Sequence, residues 1–404
     1  MKTLTLSTEA KKAVVIGSMC SLSYLAVYVA KNVLSASSPQ MVESGVFTNE
    51  QIGTLSSVYF ITYAVGQLIN GQIGDRVKSK YMISIGLVMA GVCSLLFSAF
   101  SGTYALACVT YGMIGYFLSM IYGSLTKVVA ENTEPPYTTR CSLGYTVASF
   151  FGTPLAGLLA AFLMWRWVFN ANGGILMVMG CVCFTVFTLF ERTGFIRYGR
   201  YKRQKGSGGG VRVLIKRRII KFILISALTG VVRTSVVFWL PTYLSQHLGF
   251  SAQSAAMIFT AATLVISATP FAAIFLYERM GHDMDRTILT VFSSSALCFL
   301  SVFFLKAPVA NIVVMILAIM SSNCAASMLW SRYCPSLRDT GMVASATGFL
   351  DFISYMAASI SSKLFANAAT SIGWGNLILV WFGLMICGIV VALPYHKIFK
   401  RHTV

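Results

Sequence analysis

Lys31-Asn-Val-Leu-Ser-Ala-Ser-Ser-Pro39, followed by Gly45-Val-Phe-Thr48, has a counterpart later in the chain in Arg233-Thr-Ser-Val-Val-Phe-Trp-Leu-Pro241, followed by Gly249-Phe-Ser251. Each stretch places a cation inside an apolar run, then a proline after seven residues, then a glycine and a hydroxyl residue suited to cap the next helix. Corresponding elements with the same chemistry at the same register indicate a duplicated chain. A repeat that carries charge at membrane depth is the sequence pattern of a secondary transporter.

Hydropathy around these stretches resolves twelve candidate spans, at 13–37, 50–74, 81–100, 103–128, 140–164, 168–190, 219–245, 252–277, 287–305, 308–331, 342–368 and 374–396. A bilayer core of ~30 Å needs about 20 apolar residues per helix. The composition excludes a soluble globule: 56% of the 404 residues are hydrophobic, 11% are charged, and mean hydropathy is +0.75. The expected fold is an all-α polytopic membrane protein of two pseudo-symmetric six-helix bundles, residues 1–190 and 219–404. They are joined by a hydrophilic linker at 191–218 that contains Gly206, Gly208, Gly209 and Gly210. The first apolar run is too long for a signal-peptide core, and the ten cysteines are not grouped at disulfide or metal-ligand spacings.

The net charge of +19 reflects topology rather than nucleic acid. Of 31 Lys and Arg residues, 26 fall in alternate loops and tails, whereas the opposite loops hold only Arg166 and Lys306. The positive-inside rule then places both termini and the linker in the cytoplasm of a plasma-membrane protein.

Ionised side chains inside spans cost about 2.5–3.5 kcal/mol on insertion scales and usually face a cavity or a partner. Lys31, Arg233 and Asp351 are the three that stand out. Tyr28 and Tyr24 precede Lys31 on its own helical face, Tyr63 and Gln67 share a face of span two, and Tyr355 lies one turn after Asp351. Paired cations suit a compact anion, because Arg grips phosphate or carboxylate bidentately while Lys acts as a point charge. Competing readings stay open here. Lys31 can snorkel to an interface, as Lys363 does near the end of span eleven. Arg233 can form a structural pair with Asp351. The tyrosines can be packing residues. No Ser–His–Asp, Cys–His or metal-ligand cluster supports an enzyme, and the four histidines fall in loops or tails.

Gly71-Gln-Ile-Gly74-Asp75-Arg76-Val-Lys78-Ser-Lys80, at the end of span two, resembles the loop signature of the major facilitator superfamily. In this reading its glycines permit close helix approach, and Asp75 and the cations make charge-assisted contacts with helix ends as a gating element. Tyr24 to Asn32, Gly53 to Gly71 and Arg233 to Leu244 are similar to the organophosphate:phosphate antiporter family within it. That resemblance implies exchange of a phosphorylated metabolite for inorganic phosphate. It puts Lys31 at the first phosphate-binding position and Arg233 at the second, with Tyr24, Tyr28, Tyr63 and Tyr355 lining the cavity. Three departures make the site less basic than the type: Lys31 replaces an arginine, Gln67 a lysine, and Val147 or a neighbour a histidine. Two other classes compete, a proton-coupled symporter of an organic carboxylate with Asp351 as proton carrier, and a transporter-like anion sensor. The expected partners are a small anion and the lipid bilayer, with no cofactor and no nucleic acid, and a monomer suffices.

Overall fold

A computed structural model describes residues 8–198, 211–337 and 343–393. The linker glycines, both chain ends, Arg338 and the Asp75 side chain lie outside the described residues. The fold is helical throughout the described residues and follows the expected order of twelve: α1 (Thr8–Glu43), α2 (Asn49–Arg76), α3 (Ser79–Phe100), α4 (Tyr104–Asn132), α5 (Pro135–Phe162), α6 (Trp165–Arg192), α7 (Ile219–Gln246), α8 (Ala252–Arg279), α9 (Met284–Phe304), α10 (Pro308–Ser336), α11 (Val343–Ser371) and α12 (Gly373–Ala392). All but α5 and α11 meet the length and apolarity needed to cross a bilayer over their described residues. Only Val147–Phe162 of α5 reads as a continuous apolar stretch.

Local chemistry sets the ends. The expected cap at Thr48 is a full capping box: Thr48 Oγ1 accepts from the Gln51 amide at 3.2 Å, and Gln51 Oε1 accepts from the Thr48 amide at 2.9 Å. Ser251 does the same work for α8, accepting from the Ser254 amide at 3.2 Å. Span one runs further than hydropathy indicates, through Pro39 to Glu43. Proline removes the amide that would bond the carbonyl four residues back, and here the Ser38 hydroxyl donates to that Ser35 carbonyl at 2.9 Å. The helix therefore continues without an unsatisfied group at that position.

Contacts divide the chain into two compact units, Met1–Gln204 with Phe250–Leu264, and Lys205–Gly249 with Val265–Val404. In the first unit α1 packs on α5, α3 on α6 and on α4, and α2 on α4; in the second, α7 packs on α11, α9 on α12 and on α10, and α8 on α10. The pairings are the same under the register that aligns Lys31 with Arg233, so the duplication is visible in packing as well as in sequence.

The loop signature departs from its sequence reading at its glycines. A Cβ added at Gly71 or Gly74 would meet no described atom within 4 Å, so these two glycines do not mark a close helix approach. Close approach falls instead at Gly115, where a Cβ would lie 2.5 Å from the Tyr59 carbonyl, and at Gly91, 2.6 Å from the Gly173 carbonyl. Arg76 is exposed. The cation that serves the end of α2 is Lys127, which donates to the Gly74 carbonyl at 2.7 Å. Lys78 and Lys80 clamp Glu191 at 2.6 and 2.7 Å, tying the α2–α3 turn to the end of α6. The hydrogen bond to Glu191 holds the Lys78 amine above its ordinary range.

Candidate functional site

In the first unit the α1–α5 seam sets the position of Lys31. Cys141, Tyr145, Ser149 and Gly152 recur at spacings of four, four and three, so one buried face of α5 meets α1. Gly152 takes the closest approach: a Cβ there would collide with Tyr28 Cβ and stand 3.1 Å from the Val29 amide. This pins Tyr28, and with it the turn that carries Lys31. The Lys31 ammonium lies 5.4 Å from the Tyr28 ring centroid and 5.2 Å from that of Tyr63, both within cation–π range. Tyr24 packs edge-on against Tyr28 at 5.0 Å and extends the cluster to Tyr122 at 5.4 Å and Tyr145 at 5.9 Å. Tyr24, Tyr28, Tyr63 and Lys31 are thus brought together as the sequence periodicity indicates, with Gln67 half-buried one turn beyond Tyr63. Tyr122 and Tyr145 were not anticipated. The periodic buried face of α5 was the signal for Tyr145; Tyr122 sits just past the break in α4 at 119–120, which hydropathy does not register.

In the second unit α7 and α11 run parallel, held by a ladder of small and hydroxyl residues. Ser226 Oγ donates to the Leu350 carbonyl at 2.6 Å, and Gly230 abuts Ser354. Ser235 Oγ bonds the Ala358 carbonyl at 2.7 Å and meets the Ser361 and Ser362 hydroxyls at 2.7 and 3.0 Å. Trp239 Nε1 donates to the Ser362 carbonyl at 3.1 Å. The ladder joins residues 124 apart at Ser226 and 123 apart from Ser235 onward, so α7 inserts one extra residue midway. The structure accommodates it as a π-helical turn, Val231–Val236, with Arg233 at its centre. Such turns occur mostly as single insertions within α-helices, frequently at functional sites.

The π-turn sets Arg233 Nη2 4.0 Å from Asp351 Oδ1, with the two side chains 34% and 29% exposed. That distance exceeds hydrogen-bonding range, so charge rather than shared proton geometry holds the pair. Tyr355, one turn on, is buried at 5% exposure. The repeat register places Ser149, a neutral residue, where the second unit has Asp351. The two halves therefore set similar cations in different surroundings: Lys31 among tyrosine faces, Arg233 beside a carboxylate. Among the described residues no group of His, Cys, Asp and Glu could hold a metal ion.

A family model for the Major Facilitator Superfamily matches residues 20–362. The chain belongs to that superfamily. Its fold matches the crystal structure of a D-xylose-proton symporter with a TM-score of 0.74, over 93% of this chain and 95% of that one, at 12% sequence identity. Among curated proteins it is similar to the membrane sensor protein UhpC. Identity is 33% over 86 residues of the Salmonella typhimurium protein and 21% over 399 residues of the Escherichia coli one. The first alignment covers 21% of this chain and a fifth of the relative; the second covers 89% and 86%. It is also 22% identical over 165 residues to the Probable hexose phosphate transport protein of Chlamydia trachomatis, covering 40% of this chain and 36% of the relative. These relatives agree with the resemblance to organophosphate:phosphate antiporters. The chain is an integral membrane protein with a secondary-transporter fold.

Proposed function

We propose that this superfamily member carries a small phosphorylated metabolite, a sugar phosphate first among candidates, in exchange for inorganic phosphate by alternating access. Lys31 and Arg233 are its cationic ligands, and Tyr24, Tyr28, Tyr63, Gln67 and Tyr355 shape the surroundings. The observation that carries this reading is Arg233 on a π-turn, 4.0 Å from the carboxylate of Asp351. A membrane-buried guanidinium needs a counter-charge. In the empty carrier Asp351 supplies it; a phosphate dianion, able to engage the fork bidentately, replaces it when substrate binds. Neutralising the positive charge of the site with a bound anion lowers the barrier to reorienting the loaded protein, whereas the empty protein keeps the net positive charge of Lys31, Arg233 and Asp351 and reorients slowly. Exchange follows from that difference. The test is uptake of hexose phosphate into proteoliposomes with and without internal phosphate. Strong trans-stimulation supports the reading, and uptake that ignores internal phosphate contradicts it. By the charge distribution, both termini face the cytoplasm.

Asp351→Asn distinguishes this carrier from a proton symporter. The counter-ion reading expects anion affinity to rise several-fold, as Arg233 is released, with exchange retained. Loss of uptake driven by an inward proton gradient would instead make Asp351 the proton carrier. Lys31 gives a second contrast: Lys31→Arg is expected to hold affinity within about threefold, and Lys31→Ala to lose about tenfold, since one point charge is removed. Isothermal titration with hexose phosphate reads both.

The similarity to a membrane sensor over most of the chain favours one second reading, an anion sensor built on the same site. Saturable binding without uptake by proteoliposomes selects it.

A further inference from the structure

The second unit carries an open cleft of about 540 Å³ far from Arg233, lined by Lys216, Arg217, Arg218, Phe222, the turn Gly281–Asp285 and Tyr333. It lies about 20 Å from Arg233 along α7. Three consecutive cations line it from one side, and both carboxylates on its wall are already engaged. Asp285 receives Arg218 at 2.9 Å on one oxygen and Lys221 at 3.0 Å on the other. Asp283 caps α9 through the Arg286 amide at 3.1 Å and lies 3.4 Å from Arg286 Nε. Lys216, Arg217, Arg218, Lys221 and Arg286 thus stand against only Asp283 and Asp285, so positive charge predominates around the cleft.

The floor is apolar. Phe222 and Tyr333, both nearly fully buried, stack with centroids 3.5 Å apart, and the Tyr333 hydroxyl donates to the Arg217 carbonyl at 3.1 Å, which fixes the basic turn over the rings. Among the described residues Arg218 and His282 are the only non-glycines with positive φ, at 59° and 60°, and both line this cleft. Backbone held in that region persists where surrounding structure over-determines it and is concentrated at ligand sites.

We propose that this cleft binds a phosphate group, carried by an anionic phospholipid or by a soluble phosphate ester, at a site separate from Lys31 and Arg233. Its volume falls in the range of small-ligand pockets, and a basic pocket at the ends of membrane helices suits an anionic headgroup. The test uses the purified full chain in detergent. Native mass spectrometry titrates dioctanoyl phosphatidylglycerol, dioctanoyl phosphatidylcholine and inorganic phosphate against wild type, the exposed-residue variant Lys216→Gln/Arg217→Gln, and Arg233→Ala. The expected result is saturable binding of phosphatidylglycerol, or of a second inorganic phosphate beyond the one assigned to the substrate site, that is weakened at least fivefold in the double variant and persists in Arg233→Ala. Binding of the lipid alone names a headgroup as the source; binding of the second inorganic phosphate alone names a soluble anion. The proposal fails if the double variant binds as wild type does, if phosphatidylcholine binds equally well, or if Arg233→Ala abolishes the signal. The last outcome would return the ligand to the substrate site.

Discussion

Arg233→Ala is expected to abolish phosphate-driven exchange while the protein still purifies as a folded species. Truncating one partner of a desolvated, hydrogen-bonded charge pair costs about 2–5 kcal/mol, so substrate affinity falls about 30-fold or more. Folding tolerates the loss because Arg233 is 34% exposed and its neighbours on α7 hold the seam without it, through Ser226, Ser235 and Trp239. The change removes the guanidinium that offsets the Asp351 charge, and a carboxylate at membrane depth is costly once that offset is lost. Arg233→Ala/Asp351→Asn is therefore expected to match the single variant in affinity and exceed it in thermal stability. Counterflow in proteoliposomes and size-exclusion profiles read the two halves of this expectation. Normal counterflow by Arg233→Ala removes Arg233 from the site.

Gly230→Ala is expected to reduce stability and binding together. A Cβ at Gly230 would stand 2.5 Å from the Ser354 carbonyl oxygen and 2.8 Å from Ser354 Cα, backbone that cannot rotate away. Overpacking of this kind costs about 1–3 kcal/mol, and Gly230→Leu more. The helices part at the turn that precedes the π insertion, so Arg233 shifts from Asp351 and affinity falls without any change to a ligand. Gly71→Ala is the control: no described atom occupies that space, and exchanging an exposed helical glycine for alanine is neutral or gains up to ~1 kcal/mol. Apparent melting temperature at a fixed scan rate separates the two variants. Equal stability of Gly230→Ala and wild type would mean that the α7–α11 seam yields more than its contacts indicate.

Most of the architecture was legible because bilayer thickness and charge exclusion act on every residue of a span. Twelve helices in order, the caps at Thr48 and Ser251, and the faces that gather Lys31, Tyr28 and Tyr63 all follow from periodicity and local hydrogen bonding. What escaped was register. The π-turn around Arg233 has no composition signal; it appears only when the pairings of Ser226 and Ser235 on α11 are compared. Gly71 and Gly74 sit in a conspicuous motif but face open space, whereas Gly152 and Gly230, in no motif, decide how close α1 and α7 come to their partners. A glycine's role depends on what faces it, and sequence does not state that. The repeat register ties these observations together, since it aligns Tyr28 with Gly230 and Gly152 with Ser354: each half keeps one glycine at the same contact, on opposite helices.

A double-mutant cycle on hexose phosphate binding tests most directly whether Lys31 and Arg233 serve the same anion. Isothermal titration would compare wild type, Lys31→Ala, Arg233→Ala and the double variant, each checked for folding. If both cations engage one ligand, each single variant loses affinity and the double variant loses less than the sum, with a coupling of about 0.5–3 kcal/mol. Wild-type affinity in either single variant, or losses that add without coupling, would contradict the shared role assigned to these two residues.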